Sequence, residues 1–530
     1  MGRAKTDSFI LELPLRVTPP QEKRLLARLE AARQVYNACL GESLKRLALL
    51  CQSKAYQTAR KLPKDSKQAK ARNRAFREAN RAVGFREYDL HAYAAQFNHC
   101  WIGEHLDIHV IQKLATRAFK AVQQHSFGKR GRPRFKGRNQ MDTVEGKSNA
   151  SGIRWREPCV EWMGLKLEAV IDAGDPVIAH GLAARAKYVR LVRRKIKGRN
   201  RFYVQLVCEG KPYQKAKNYV GEGDVGLDIG PSTIAAVGDG EAFLAQFCDE
   251  LLPRQKKIRR FQRKIDRQRR ANNPDNYNPD GTIKPGPQKW HKSGRQRRTE
   301  AKLAELHRKQ AAHRKSLHGQ MVNRILRMGD VIKMEKLSYR AFQRRYGRSV
   351  GMRAPGMFVV HMRRKAKACS PRPSADASAY EFPTRPTKLS QTCHGCGAVE
   401  KKPLSQRWHR CECGVIAQRD LYSAFLARCV EGDRLNADRA RREWSEGVDN
   451  LLQAALSDAC QRWQAQPASG SGSRRLPSSF GLSRGQRQSG SPVECRVKSS
   501  KAQDVVPSVV SLVGRGELGK ARRIVRTPRL

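Results

Sequence analysis

The sequence predicts a multidomain α/β protein, and three observations lead to this class. Apolar residues recur every three or four positions, among many lysines and arginines, in residues 21–127 and again in residues 251–327, which is typical of amphipathic helices. Apolar and polar residues alternate in residues 152–213, which is typical of strands. At 530 residues the chain is also long enough for roughly two to four domains.

The net charge is the strongest global signal. The chain has 106 lysines and arginines against 48 aspartates and glutamates, which gives a formal net charge of +58. Self-repulsion of this size opposes folding unless a counter-charge is present, so we expect a polyanion as the partner. The alternative is a basic surface that is merely solvated.

The cysteine pattern and the hydropathy argue against a secreted or membrane-spanning protein. Only four of the 14 cysteines are clustered, which does not suit a disulfide framework. No apolar segment typical of a signal peptide follows the N-terminus, and no apolar run reaches the roughly 18 residues that a membrane span needs. We therefore expect a cytoplasmic protein in a reducing compartment, with no membrane partner and with an oligomeric state that the sequence does not indicate.

The N-terminal region is predicted to be a strand followed by helices. Residues Phe9–Val17 alternate as a strand does. The helix that follows has one apolar face, formed by Leu25, Leu29, Ala32, Tyr36 and Leu40. Basic helical sequence continues to about Gln124, with interruptions near Pro63 and Gly84. We interpret residues 21–127 as a helical insertion.

A small β-domain is predicted after these helices. The segment Gly128–Arg138, GKRGRPRFKGR, has too many breakers for a helix, and we interpret it as a loop on a phosphate backbone, the alternative being a solvated linker. Strand-like sequence then fills Gly152–Tyr213, with a turn at residues 197–200. If the N-terminal strand returns to this sheet, residues 1–20 and 128–220 form one β-barrel-like domain around the insertion.

An α/β core is predicted from residue 221 onward. DVGLDIGPSTIAAV is typical of two apolar strands joined by a turn at Gly230, and GDVIKMEKLS of a further strand that ends at Glu335. Two long basic helices lie between them, in residues 251–327. The buried face of the first helix is predicted to contain Ile258, Phe261 and Ile265.

The C-terminal part is predicted to contain helices and then a tail. Residues 431–466 can form one or two amphipathic helices around Trp444, Val448, Leu452, Leu456 and Trp463. Residues 467–530 are rich in Ser, Gly, Pro and Arg, with too little apolar surface to offset the entropy of folding. We interpret them as a disordered basic tail that either adds nonspecific affinity or has no function.

Clustered cysteines in residues 387–414 predict a zinc ribbon. A CxxC hook and a tighter CxC hook are formed by Cys393, Cys396, Cys411 and Cys413. Four thiolates at this spacing can surround one tetrahedral Zn²⁺, and such a zinc is structural because no position is left open for water. His394 and His409 flank the hooks and could compete as ligands. We expect them instead to contact the ligands or to lie at the surface, since four thiolates complete the site.

Three acidic residues stand out by their positions. Asp228 lies within an apolar strand, Glu335 at the end of another, and Asp420 at a helix start next to the second hook. Burying a carboxylate without a counter-charge is costly, and Mg²⁺, which prefers carboxylate and water oxygens, would offset that cost. Two such ions about 3.5 to 4 Å apart can catalyse phosphodiester hydrolysis. Taken alone, each acid is better explained by a structural salt bridge, but together in a basic protein they favour a nuclease.

The order and the flanks of these acids resemble a known family. VGLDIGPSTIAAV, VIKMEKLS and CECGVIAQRDLYSA are similar to the three motifs of RuvC-type RNase H-like nucleases, with a zinc ribbon inserted before the third. The layout of residues 9–428 resembles the transposon-encoded TnpB (OrfB) proteins and the related compact type V CRISPR effectors. The chain departs from this pattern at Tyr422, where the motif RDxNAA commonly has Asn, and in its CxC hook, where CxxC is commoner.

The resemblance implies a fold and a function. It implies a RuvC-type RNase H-like nuclease core in residues 221–386 and 415–430, with the zinc ribbon inserted in it. It also implies a guide RNA, recognition of a short flanking motif in double-stranded target DNA, and cleavage of both strands with Mg²⁺ in a prokaryotic cytosol, at the nucleoid when DNA is bound. The implied catalytic, magnesium-binding residues are Asp228, Glu335 and Asp420.

Three other functions are compatible with parts of the sequence. A CRISPR effector of the same lineage is distinguished by its genomic neighbourhood rather than by its protein sequence. A guided DNA-binding repressor that does not cut would be signalled by the loss of one acid, and all three acids are present. A transposase that joins DNA strands also has an RNase H-like core, but its acids usually follow the order D, D, E.

Overall fold

The computed structural model describes residues 6–63, 65, 68–369, 379–403, 405–465 and 477–480. The tail predicted for residues 467–530 lies outside the described residues, except for residues 477–480. In the described part of the chain, no helix has both the length and the hydropathy of a membrane span.

The N-terminal region is a strand followed by helices, as the sequence predicts. Strand β1 spans Ser8–Pro14. The helices after it are α1 Pro19–Gln52, α2 Lys54–Lys61, α3 Ala69–Ala82, α4 Glu87–Ala95 and α5 Ile108–Ser126. All five residues of the predicted apolar face on α1 are buried, and α1 packs against α5. The predicted interruptions near Pro63 and Gly84 fall just after the ends of α2 and α3.

The β-domain contains two sheets. Its elements are β2 Thr143–Glu145, β3 Arg154–Arg156, β4 Cys159–Trp162, β5 Leu165–Glu168, α6 Pro176–Ala183, β6 Ala186–Ile196 and β7 Arg199–Glu209. The strand orders are β1-β7-β6-β2 and β3-β4-β5. Leu15 donates its N–H to the carbonyl of Phe202 on β7 and also bridges to Ala169, next to the second sheet. The predicted return of the N-terminal strand is confirmed by its antiparallel pairing with β7, whereas β2 and α6 were not predicted.

The central sheet has five strands in the order β10-β9-β8-β11-β12. The elements of this region are β8 Asp224–Ile229, β9 Thr233–Val237, β10 Ala242–Gln246, α7 Leu252–Asn272, α8 Gly294–Met328, β11 Val331–Glu335, α9 Tyr339–Arg353, α10 Pro355–Cys369 and β12 Ala379–Phe382. Strand β9 is antiparallel to both β8 and β10, while β11 is parallel to both β8 and β12. The predicted hairpin, basic helix pair and third strand are confirmed.

The buried face predicted for α7 is only partly correct. Ile258 is fully buried, but Phe261 and Ile265 are half-buried. Helix α7 pairs mainly with α8, and a two-helix arm has no third layer to cover the whole apolar stripe.

Helix α12 lies at the centre of the C-terminal region. The elements here are α11 Thr384–Thr387, β13 Trp408–Arg410, β14 Ile416–Gln418, α12 Arg419–Arg428, β15 Val430–Glu431, β16 Arg434–Leu435, α13 Ala437–Glu443 and α14 Glu446–Gln464. Every residue from Asp420 to Arg428 is buried. The prediction of one or two C-terminal helices is confirmed by α13 and α14, and residues of α14 share one apolar core with α12. Arg439 of α13 also pairs with Asp224 of β8 at 2.8 Å, so these helices belong to the core layer.

Candidate active site and metal centre

Asp228 and Glu335 lie at neighbouring positions at one end of the central sheet. Strands β8 and β11 are parallel, and Leu227 pairs with Met334. The next residue of each strand is Asp228 or Glu335. The register therefore places the two acids next to each other, on backbones about 4.8 Å apart. Both residues are half-buried.

Both acids face the helix that carries Asp420. A Cβ atom on Gly226 of β8 would lie 1.9 Å from the carbonyl oxygen of Ala424, so this strand packs directly on the backbone of α12. Because side chains alternate along a strand, Asp228 points to the same side as position 226. On β11, Lys333 donates a hydrogen bond to the carbonyl of Arg428 at 2.7 Å, and Glu335 follows two residues later on that side.

Asp420 and its helical turn contact neighbours from three parts of the chain. Thr233 of β9 donates its hydroxyl hydrogen to Oδ2 of Asp420 at 3.1 Å. Arg407 lies 3.5 Å from Oδ1, in a salt bridge. The side chain of Gln418 accepts the N–H of Leu421 at 2.8 Å and so caps the first turn of α12. A carboxylate in the first turn also faces the positive end of the helix dipole.

Burial and mutual repulsion favour the protonated forms of these acids. The pKa of Asp228 lies well above its usual range, because of burial and then because of the charges of Asp420 and Glu335. Burial raises the pKa of Glu335 to about 7. The pKa of Asp420 is also raised by burial, although Arg407 opposes the shift. The three carboxylates together therefore suit an environment that a divalent cation would complete.

The carboxylate set is wider than the coordination sphere of one ion. Among the described residues, the four cysteines are the one group of at least three Cys, His, Asp or Glu side chains whose ligand atoms all lie within 4.8 Å of one another. The three carboxylates do not meet this distance. In this arrangement the three carboxylates do not all lie within reach of one ion.

The four cysteine sulfurs form a compact cluster that could hold a structural zinc. The Sγ atoms of Cys393 and Cys413 are 3.5 Å apart, and those of Cys396 and Cys411 are 3.4 Å apart. Four sulfurs at about 2.3 Å from one tetrahedral zinc are about 3.8 Å from each other, whereas disulfide sulfurs are separated by about 2 Å. The observed distances therefore fit a zinc site. Each hook ends in a turn with a positive φ, at Gly397 and Gly414.

The two histidines that flank the hooks are buried beside the cluster. His394 is 3% exposed and His409 is 1% exposed, so the alternative that they lie at the surface is wrong. The Tyr422 hydroxyl accepts the backbone N–H of His394 at 2.9 Å and lies 2.8 Å from its Nδ1. The His409 ring stacks on Tyr422 with a centroid distance of 4.2 Å, and Trp444 packs on His394 at 4.5 Å. Both histidines lie outside the sulfur cluster.

Two segments of the chain expose several basic side chains. Helix α7 exposes a series of cations that includes Arg259, Arg260, Arg263, Lys264 and Arg267. The segment Gly128–Arg138 has no helix or strand, as predicted. Its Lys136 is fixed to α1 through Asn37, which accepts the N–H of Lys136 at 2.8 Å and donates to its carbonyl at 2.9 Å. This basic loop therefore has a defined path on the helix.

Sequence reasoning missed Thr233, Arg407 and the role of Tyr422. Thr233 lies 187 positions from Asp420, and no periodicity links residues that far apart. Arg407 lies in an irregular loop before β13. The substitution of Tyr for Asn in the third motif was a visible signal for Tyr422, but its meaning depends on which residues fold against it.

Comparisons with known proteins identify structural similarity alone. No family model and no curated protein matches the sequence. The fold is similar to the cryo-EM structure of a Cas12f1–sgRNA–target DNA complex, with 10% identity, a TM-score of 0.40, and coverage of 79% of this chain and 98% of that chain. It is also similar to that of a CRISPR–Cas12f ternary complex, with 13% identity, a TM-score of 0.25, and coverage of 77% and 82%. Because both scores are below 0.5, the function has to be argued from the residues of this chain.

Proposed function

We propose that the protein is an RNA-guided DNA endonuclease that hydrolyses phosphodiester bonds at a two-metal site formed by Asp228, Glu335 and Asp420. The observation that carries this proposal is the approach of three acids from distant parts of the chain to one end of the central sheet, in a protein of net charge +58. A salt bridge accounts for one acid, since Arg407 pairs with Asp420. It does not account for Asp228, whose pKa is raised by burial and by the two other acids.

The carboxylates are the residues that would hold Mg²⁺. When bound, the metal supplies an activated water and stabilises the leaving oxygen of the phosphodiester. The chain itself supplies geometry: the β8–β11 register aligns the backbones of two of the acids, and Thr233 donates a hydrogen bond to one carboxylate oxygen of Asp420. Arg407 adds a positive charge next to Asp420, where it can also contact a phosphate oxygen.

The guided mechanism rests on the motif resemblance and on the basic surfaces. The exposed cations of α7 and the fixed loop Gly128–Arg138 suit a nucleic-acid backbone, which is bound without regard to sequence. In a guided nuclease, base pairing between RNA and target supplies the sequence specificity that such surfaces lack. We place the chain with the transposon-associated TnpB lineage, in which the cysteine cluster carries a structural zinc.

The guided part of this proposal is tested by the RNA that the protein retains. The chain is expressed together with its native flanking DNA, purified at about 0.5 M salt to remove weakly held polymers, and the bound RNA is sequenced. We expect one discrete species with a constant structured part, encoded close to the gene. Recovery of only heterogeneous RNA would contradict the guided mechanism and leave an unguided metal nuclease.

A further inference from the structure

Tyr422 connects the cysteine cluster to the helix that carries Asp420. It lies two residues after Asp420 on α12, which places the two side chains about 200° apart around the helix axis. Asp420 faces Thr233 of the central sheet, and Tyr422 faces the hooks. A displacement of Tyr422 therefore rotates or shifts the same helical turn that holds the carboxylate.

Tyr422 contacts both hooks, by a different interaction at each. At the first hook, its hydroxyl accepts the N–H of His394, the residue after Cys393, and its own hydrogen can then be donated to Nδ1 of the same histidine. At the second hook, its ring stacks on His409, two residues before Cys411, with an interplanar angle of 27°. Tyr422 is 1% exposed, so neither contact competes with water.

Trp444 and Arg441 also contact the first hook, beside Tyr422. Trp444 closes the cluster, with ring centroids 4.5 Å from His394 and 5.8 Å from Tyr422. Arg441 of α13 donates to the carbonyls of His394 and Gly395 at 3.0 and 3.2 Å. The first hook is thus fixed to α13 and to α12 together. Besides the backbone of β14, which leads from the second hook into α12, one path from the hooks to Asp420 consists of the Tyr422 side chain and one helical turn.

From this geometry we propose that Tyr422 is a positioning residue that couples the zinc-loaded state of the cysteine cluster to the affinity of the carboxylate site for divalent cations. The coupling rests on the proposed function in one respect, namely that Asp420 is a cation ligand. Zinc holds the two hooks at a fixed separation, and Tyr422 transmits that separation to α12. Without zinc the hooks are free to separate, and Tyr422 then no longer fixes the position of the helical turn that contains Asp420.

The test combines two perturbations, substitution of Tyr422 and removal of zinc. The measured quantity is the affinity for Mn²⁺, determined by electron paramagnetic resonance, and not the rate of cleavage. Tyr422→Phe removes the hydroxyl and keeps the ring. Tyr380→Phe is the matched control, because the Tyr380 hydroxyl bonds to Asp433, away from the hooks. Each protein is measured with zinc loaded and after zinc removal by a chelator. The Mn²⁺ signal that the wild type shows and the Asp228→Asn protein lacks is assigned to the carboxylate site.

We expect zinc-loaded Tyr422→Phe to retain stoichiometric zinc and to bind Mn²⁺ about tenfold more weakly than the wild type, with little further loss on zinc removal. The control should follow the wild type. Equal Mn²⁺ affinity of Tyr422→Phe and wild type, with zinc loaded, would overturn the positioning role alone. Absence of any Asp228-dependent Mn²⁺ site in the wild type would overturn the carboxylate site as well.

A second variant keeps the test decisive if Tyr422→Phe folds poorly. His394→Ala retains the tyrosine and its stacking on His409 but removes the Nδ1 partner. It should weaken Mn²⁺ binding in the same direction at unchanged zinc content, and unchanged Mn²⁺ affinity would contradict the proposal.

Discussion

Asp420 is the carboxylate whose surroundings are best defined at the residue scale. It accepts a hydrogen bond from Thr233, pairs with Arg407 and lies in the first turn of a buried helix. Asp228 differs, because its nearest electrostatic neighbours include two other acids. One member of the set is therefore anchored by neighbours of the chain, and in the proposed site the other two would depend more strongly on a cation for their ionised forms.

Removing the charge of Asp420 should abolish most of the cleavage activity and leave folding intact. Asp420→Asn keeps the shape of the side chain and removes a ligand oxygen charge, so we expect the single-turnover cleavage rate to fall by at least about a hundredfold. Zinc content and RNA binding should not change. Asp438→Asn, at a side chain that is 76% exposed, is the control. Loss of folding in Asp420→Asn, seen by thermal melting, would refute the separation of roles.

The raised pKa of Glu335 gives the metal-free protein a pH-dependent stability. Between its usual pKa of 4.5 and the folded value of about 7, the folded state binds more protons than the unfolded state, so stability falls as pH rises through this window. In the proposed site, Mg²⁺ would bind the ionised form. We therefore expect Mg²⁺ to raise the melting temperature more at about pH 8 than at about pH 5.5. Glu335→Gln should reduce this difference, and an equal gain at both pH values in the wild type would contradict the assignment.

At the scale of elements, the close packing of β8 on α12 determines where the acids meet. A Cβ at position 226 would lie 1.9 Å from one backbone atom of α12 and 2.7 Å from another, so only glycine allows this approach. We expect Gly226→Ala to cost about 1–3 kcal/mol or more of stability and to slow cleavage, since α12 must move away. Gly240→Ala, with no atom within 4 Å of the new Cβ, is the control. A Gly226→Ala protein that melts like the wild type would contradict this packing.

The cysteine hooks are an element whose removal should act on structure first. Cys411→Ser leaves three thiolates, and we expect a loss of stoichiometric zinc and a lower stability of residues 387–430. Hydrogen exchange followed by mass spectrometry measures the local stability as the protection of the amide hydrogens in this segment. Cys51→Ser, at an exposed cysteine outside the cluster, should retain both zinc and protection. Full zinc retention in Cys411→Ser would exclude that thiolate as a ligand.

The elements differ in how far the sequence could predict them. The helix face of α1, the hairpin β8–β9 and the strand that ends at Glu335 have strong local periodicity, and all are present. Strand β12 has the sequence AYEF, which is too short to signal a strand by itself, and it forms by adding to β11. The burial of His394 and His409 likewise depends on Tyr422 and Trp444, which no pattern within the hooks can indicate.

For the whole molecule, the insertion of α1–α5 between β1 and β2 was predictable, because the first strand needs a partner and the next strand-like sequence lies beyond the helices. The meeting of Asp228, Glu335 and Asp420 was predictable only through the motif resemblance, since it requires the parallel pairing of β8 with β11. The excess of positive charge is compatible with a complex in which nucleic acid supplies the counter-charge.

The central claim, guided hydrolysis at the three carboxylates, is tested most directly by cleavage of a defined duplex. Protein loaded with its copurified RNA is incubated with Mg²⁺ and a double-stranded DNA that matches the variable part of that RNA, beside a scrambled duplex and an Asp228→Asn protein. We predict that wild-type protein cuts both strands of the matched duplex alone and that Asp228→Asn binds it without cutting. Tight binding of the matched duplex by the wild type with both strands left intact would contradict the claim.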